Sequence, residues 1–262
     1  MTPPALFPRR YRDLTILDLE AQRSLVIACD SAGAIGPKEA DVVRVPGYVL
    51  GRFTARVALM EVLAVGAWPV CIVNTLCVEP EPAGAAIREG VADEVRSLGI
   101  DPEKALTGSS EKNVPTIQSG IGITVIGLAT TAELLIGRLA AGDALALFGR
   151  PKVGTEVFLD DPEIADLQTV RLLLDQPGIR EIVPAGSRGI LAEARDLAAL
   201  YRLQINWRPG LSELDLHKSA GPATCILAAG ERPALEAAGL RAGKPFCLLG
   251  TLEKQSPGGG NK

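Results

Sequence analysis

Residues 48–78 read YVLGRFTARVALMEVLAVGAWPVCIVNTLCV, and their pattern decides the fold class. Leu50, Phe53, Val57, Met60 and Ala64 recur at three- and four-residue steps, the spacing that puts apolar side chains on one face of a helix. Gly66 follows as a C-capping glycine does. PVCIVNTLCV, 69–78, is then an apolar run with the length of a buried strand. A helix feeding a strand predicts a mixed class, α/β or α+β, and excludes all-α and all-β folds.

The same alternation continues on both sides. SLVIACD (24–30) reads as a buried strand, and SAGAIGPKEADVVRVPG after it is too rich in Gly, Pro and charge for a regular element. AGAAIREGVADEVRSLG (83–99) is an amphipathic helix ended by glycine. ALTGSSEKNV is a short strand running into a polar loop. IQSGIGITVIGLA (117–129) and AELLIGRL (132–139) read as strands. A second unit opens near Gly142 with GDALALFGRPKVGTEV. It continues through a helix at 166–176, a strand at 179–186, a helix at 188–202 and two late strands, ATCILAAG and PFCLLGTLE. The expected domains are 1–138 and 139–255, with a disordered tail at 256–262.

A length of 262 residues exceeds one typical core, and a hydrophobic share of 47% supplies material for two. The 27 basic and 31 acidic side chains leave a net charge of −4, which excludes a strongly basic nucleic-acid binder. No apolar run approaches the roughly 18 to 20 residues of a membrane span. The start, MTPPALFPRRYRDL, lacks the apolar segment of a signal peptide, so a cytoplasmic protein is expected. The five cysteines sit beside apolar residues without Cys-x-x-Cys spacing and read as buried, reduced thiols. The single histidine, His217, reads as solvated.

The common phosphate and hydrolase motifs are missing: no Walker A loop, no G-x-G-x-x-G after a strand, no G-x-S-x-G, no H-E-x-x-H. Three local features remain. Asp30 ends the first strand before the Gly-rich loop, a place for a Mg²⁺ ligand or for an Asx-turn aspartate. Glu61 falls on or beside the apolar stripe of its helix, where a buried carboxylate needs a metal, a lysine or an arginine; at the helix edge it would reach solvent. TGSSEKN (107–113) offers backbone N–H groups, hydroxyls and Lys112 to phosphate oxygens, or forms an ordinary hairpin loop.

In combination these pieces resemble the superfamily of aminoimidazole ribonucleotide synthetase, thiamine-monophosphate kinase, selenophosphate synthetase and a hydrogenase maturation factor. Its members share a strand ending in aspartate (VIACD), a helix ending D-L-A-A-M-G-A-x-P (here E-V-L-A-V-G-A-W-P, 61–69), and a G-G-D-T type loop with a glycine-rich strand (TGSSEKN and SGIGITVIG). A second domain opens with G-D-x-x-x-x-x-G (GDALALFG). The match runs in order over roughly 24–150 and is weaker beyond. CDSAGAIGPKEADVV, TGSSEKN and RYRDLT look closest to the α-ribazole kinase branch, which phosphorylates the lower-ligand nucleoside of cobalamin for salvage.

The resemblance implies a two-domain fold whose N-terminal domain dimerises through its sheet, with ATP in the cleft so formed. It implies Mg²⁺ on Asp30 and Glu61, and phosphate held by Gly33, Gly36, Lys38, Gly108, Ser109, Ser110, Lys112 and Asn113. Asp13 or Glu111 would orient the acceptor hydroxyl. The chain departs from the pattern where Glu61 replaces an aspartate and Ser109 stands at the loop aspartate. The usual acidic N-terminal segment is also short, with Asp13 and Asp18 available in its place. Rival readings are thiamine-monophosphate phosphorylation, ATP-dependent ring closure, and a catalytically silent nucleotide-binding scaffold.

Overall fold

The structure is a computed structural model that describes residues 8–255 and divides between Leu134 and Leu135 into two units. The tail expected to be disordered, 256–262, lies outside the described residues. The first unit contains β1 (Arg9–Tyr11), β2 (Leu14–Leu19), β3 (Arg23–Gly33), β4 (Ile35–Gly36), β5 (Val43–Arg44) and α1 (Gly47–Ala64). It continues with β6 (Trp68–Leu76), α2 (Ala85–Arg96), α3 (Pro102–Ala105), β7 (Leu106–Ser110) and β8 (Gly120–Thr130). Its main sheet has the order β1-β2-β3-β8-β6-β7, antiparallel throughout except for the parallel pair β6–β7.

Period-two alternation gives this sheet one covered and one open face. In β3, Ser24, Val26 and Ala28 are buried whereas Cys29 is exposed. In β8, Ile121, Ile123, Val125, Gly127 and Ala129 are buried, and the residues between them are partly exposed. The covered face packs under α1, which is buried at 14 of its 18 residues and is therefore enclosed on more than the single face its apolar stripe predicts. α2 closes its outer side. A β-carbon at Gly51 would overlap the Ile87 carbonyl oxygen, and one at Gly90 would overlap that of Tyr48, so the two helices cross backbone to backbone. Beside the crossing, Glu94 is buried between Arg52 Nε at 2.6 Å and Arg56 Nε at 2.7 Å.

The second unit contains β9 (Ala144–Gly149), α4 (Leu167–Leu174), β10 (Ile179–Pro184), α5 (Gly189–Leu200), β11 (Leu203–Trp207), β12 (Cys225–Gly230), α6 (Arg232–Arg241) and β13 (Phe246–Lys254). The antiparallel sheet runs β10-β12-β9-β13-β11. ALALFG and CILAAG are buried at every residue, as central strands covered on both faces must be. Leu145 and Leu147 pack with Ile190, Ala194 and Leu197 of α5 on one side. Phe148 meets Phe246 on the strand beside it, with ring centroids 5.2 Å apart.

Several expectations are corrected. β3 does not stop at Asp30; it runs on to Gly33, because Ser31, Ala32 and Gly33 pair with Gly122, Ile121 and Gly120 of β8. Small residues and glycines serve this ladder although they read as loop. AELLIGRL is not a strand: a short 3-10 turn at Thr131–Glu133 leads into an irregular segment where Gly137 has φ +73°. Of the cysteines only Cys225 is buried; Cys29 and Cys77 are exposed and Cys71 and Cys247 intermediate. Cys29 lies at an odd position of β3 and so faces the open side. β1, β2, β11 and α6 have no counterpart in the sequence reading.

Gly51→Ala is expected to destabilise the protein by about 1–3 kcal/mol, because the added methyl drives α1 away from α2. A urea unfolding curve reads this directly as a lowered midpoint.

Candidate functional site

β3 and β6 both run antiparallel to β8, and β7 runs parallel to β6, so the C-terminal ends of β3, β6 and β7 lie at one end of the sheet. That end gathers the Gly-rich loop after Gly33, the turn after Leu76 and the loop after Ser110. Asp30, Gly33, Gly36, Lys38, Gly108, Ser109, Ser110, Glu111, Lys112 and Asn113 therefore come from distant parts of the chain to one end of one sheet.

Register orders them further. Asp30 pairs with Ile123, Ile123 with Asn74, and Asn74 with Gly108, so these four form one row facing the helices. Burial pushes the Asp30 carboxyl up to about 6, against a weaker opposing pull from the Ser31 backbone N–H. Asn74 is buried, and its Oδ1 has no hydrogen-bond partner. An orphaned buried acceptor is costly, which marks it for a ligand. A lone amide inside CIVNTLCV was the available signal for Asn74, and the sequence reading passed over it. Gly108 is needed where it stands, because a β-carbon there would overlap the Asn74 carbonyl oxygen.

The TGSSEKN segment is less of a loop than expected. Residues through Ser110 belong to edge strand β7, held in the ladder by their pairing with β6. Ser109 pairs with Thr75 and faces the open side, opposite to Asp30. The loop proper is built by Glu111, whose Oε1 accepts the N–H groups of Asn113 at 2.6 Å and Val114 at 3.2 Å. These bonds hold its carboxyl below the usual range. Lys112 is exposed, and among the described residues its ammonium has no partner.

The Gly-rich loop is ordered by a residue that the sequence reading missed. Asp41 is buried; its Oδ1 accepts the Ser119 N–H at 2.7 Å, and its Oδ2 accepts the Ser119 hydroxyl at 2.7 Å and the Lys38 N–H at 2.8 Å. Gly36 lies beneath this knot at φ +145°, where a β-carbon would overlap the Ser119 hydroxyl. Lys38 is not free for phosphate: its ammonium sits 2.5 Å from Glu79 Oε1, and the pairing lowers the Glu79 carboxyl.

Glu61 is buried, and its partner is an arginine, Arg12 Nη2 at 3.2 Å. A β-carbon at Gly127 would overlap Val62 beside it, and Gly127 pairs with Val26. Asp13 is exposed in the turn between β1 and β2. Asp18 is structural, accepting the Ser24 hydroxyl at 2.6 Å and pairing with Arg9 at 3.1 Å. Among the described residues no group of three or more His, Cys, Asp or Glu side chains is placed to hold a metal.

Residues 11–129, spanning this sheet and its helices, match the family described as AIR synthase related protein, N-terminal domain. Over both units the fold is similar to that of several solved structures. It superposes on a PurL of T. maritima complexed with ADP at TM-score 0.69 and 15% identity, covering 95% of this chain and 43% of that one. It superposes on the thiamine-monophosphate kinase of Stenotrophomonas maltophilia at TM-score 0.61 and 18% identity, covering 97% and 90%. The HypE-HypF complex matches at TM-score 0.61 and 16% identity, covering 93% and 87%. The chain thus spans less than half of the PurL and most of the kinase. A comparison with curated proteins by sequence gives no match.

Asp30 makes stability depend on pH with a definite sign. Its carboxyl is raised from 3.8 to about 6, so the folded state holds the proton more tightly than the unfolded chain. The resulting stabilisation is complete below about pH 4 and is lost as pH rises through about 6. Urea midpoints measured in metal-free buffer are expected to show Asp30→Asn gaining on the natural protein across that interval and remaining more stable at neutral pH.

Proposed function

We propose that this chain is an ATP-dependent phosphotransferase that phosphorylates the primary hydroxyl of a nucleoside-like acceptor, with α-ribazole the acceptor favoured by its sequence. The observation that carries the reading is the shared row of Asp30 and Asn74, at the end of the sheet where three loops converge. Two of the solved relatives above bear on it: one is a thiamine-monophosphate kinase and one is a PurL complexed with ADP.

The residues fit Mg·ATP in a particular way. Mg²⁺ keeps several waters and is commonly bound through one or two carboxylates plus phosphates. Asp30 supplies one carboxylate, and the orphaned Asn74 Oδ1 supplies a neutral oxygen in the same row. Glu61 is left out because Arg12 already engages its carboxylate. When bound, the cation neutralises charge on the phosphates.

Transfer of this kind needs positioning and charge neutralisation more than covalent help from the protein. Lys112 and the backbone around Ser110 neutralise phosphate oxygens; Lys38 instead fixes the loop through Glu79. Asp13 orients the acceptor hydroxyl and takes its proton, as Glu111 is occupied by backbone N–H groups. The acceptor oxygen bonds to the γ-phosphorus as the bond to the β-phosphate oxygen breaks, and ADP leaves.

The chain acts as a homodimer through the open face of the first sheet. Trp68 is 45% and Val70 46% exposed there, beside half-buried Leu25, Ile27, Ile126 and Leu128. Apolar exposure of this extent on one face marks an association surface. Trp68→Glu is expected to convert dimer to monomer in sedimentation velocity at micromolar concentration; an unchanged dimer would place the interface elsewhere.

The decisive assay offers ATP and Mg²⁺ with a panel of α-ribazole, other ribosides and thiamine monophosphate. A kinase yields ADP and a phosphorylated acceptor, whereas ring closure yields ADP and free phosphate. Asp30→Ala is expected to lower turnover at least a thousandfold, with its circular dichroism spectrum unchanged. Mg·ATP binding with no transfer to any acceptor would instead assign a nucleotide-binding scaffold.

A further inference from the structure

The second unit contains a cavity of about 660 Å³ between the segment that follows β9 and the 213–218 loop. This volume lies within the roughly 300–1,000 Å³ typical of small-molecule sites. Most charges in its wall are already neutralised. Lys152 Nζ lies 2.5 Å from Asp161 and 2.7 Å from Glu163, and Lys218 Nζ lies 2.8 Å from Glu156. Those contacts raise the Lys152 ammonium and hold the Asp161 and Glu156 carboxyls below their usual range. Asp215 Oδ1 accepts the backbone N–H groups of His217 and Lys218.

Three groups of the wall remain available. Phe158 is 63% exposed, which is unusual for a phenyl ring at the rim of a cavity with no role in the core. Arg150 and Glu213 are exposed, and among the described residues their side chains have no hydrogen-bond or ion-pair partner. The wall thus offers a flat apolar surface, one planar donor and one acceptor. Five carboxylates against three bases leave it at a net charge of −2.

That combination selects a ligand class. A flat ring stacks on Phe158. Glu213 accepts from hydroxyl or amino groups, and Arg150 donates to a ring nitrogen or an oxygen. The net negative wall disfavours a phosphorylated ligand, since one free guanidinium faces an excess of carboxylates. We propose that this cavity binds an unphosphorylated, hydroxylated heteroaromatic compound, a nucleoside-like molecule, through Phe158, Glu213 and Arg150. Its identification as the acceptor rests on the kinase reading above. The same charge balance weakens the hold on the product once it has gained a phosphate.

The test is calorimetric titration of the full chain with benzimidazole riboside, its 5′-phosphate and inorganic phosphate. The riboside is expected to bind at least tenfold more tightly than its 5′-phosphate. Phe158→Ala should weaken riboside binding at least tenfold, Phe158→Tyr should restore it, and Glu213→Gln should weaken it several-fold. All three side chains are exposed, so the variants should fold, and binding of a non-hydrolysable ATP analogue reports that they have. Equal riboside affinity in Phe158→Ala, tighter binding of the 5′-phosphate, or no riboside binding would each overturn the proposal. The two readings fail separately. Phe158-dependent riboside binding without any phosphoryl transfer would remove the kinase and keep the pocket. Transfer whose acceptor KM is unmoved by Phe158→Ala would keep the kinase and remove the pocket.

Discussion

The enclosure of α1 between the sheet and α2 is the constraint on which the first unit rests. Apolar burial on so many sides requires the sheet to present small residues beneath the helix and the neighbouring helix to approach closely. Gly127 meets the first need and the Gly51–Gly90 crossing meets the second. Glu94 between Arg52 and Arg56 keeps the charged residues of that crossing paired although they are buried. The same enclosure keeps the covered face of β3 and β6 out of water. Asp30 sits high on the pH scale and Asn74 is left without a partner because both share that face.

The loops at the end of this sheet are ordered by carboxylates that accept backbone N–H groups. Asp41 ties the Gly-rich loop to Ser119, and Glu111 closes the turn after β7 by accepting two backbone N–H groups. A carboxylate that satisfies backbone donors is a fastening. The groups to which the proposed chemistry is assigned, Asp30, Asn74, Lys112 and Asp13, are ones with no such fastening role. The second unit follows the same division, since Lys152 and Lys218 fix its loop segment while Phe158, Arg150 and Glu213 stay unengaged.

Much of the architecture was legible in the chain. The helical period of 48–65, the strand after Gly66 and the amphipathic 83–99 segment appear where they were expected, within a few residues. The element order carried the resemblance to the superfamily. Strands were missed where their residues do not look like strand residues. Ser31 to Gly33 read as loop but pair with an equally small stretch of β8. The cysteines read as buried from their apolar neighbours, yet Cys29 stands on the open face of β3, because a period of two assigns adjacent residues to opposite sides, and Cys77 is exposed just beyond the end of β6.

What the sequence determined by itself was the class of fold and the set of polar residues able to bear chemistry, because periodicity and turn chemistry are local properties. Only the tertiary structure decided how those residues are used. It gave Glu61 to Arg12, Lys38 to Glu79 and Glu111 to its own loop, and it set Asn74 in the row of Asp30. These outcomes depend on register and on long-range pairing, and a residue's partner across a sheet or beneath a helix is not written in its neighbours along the chain.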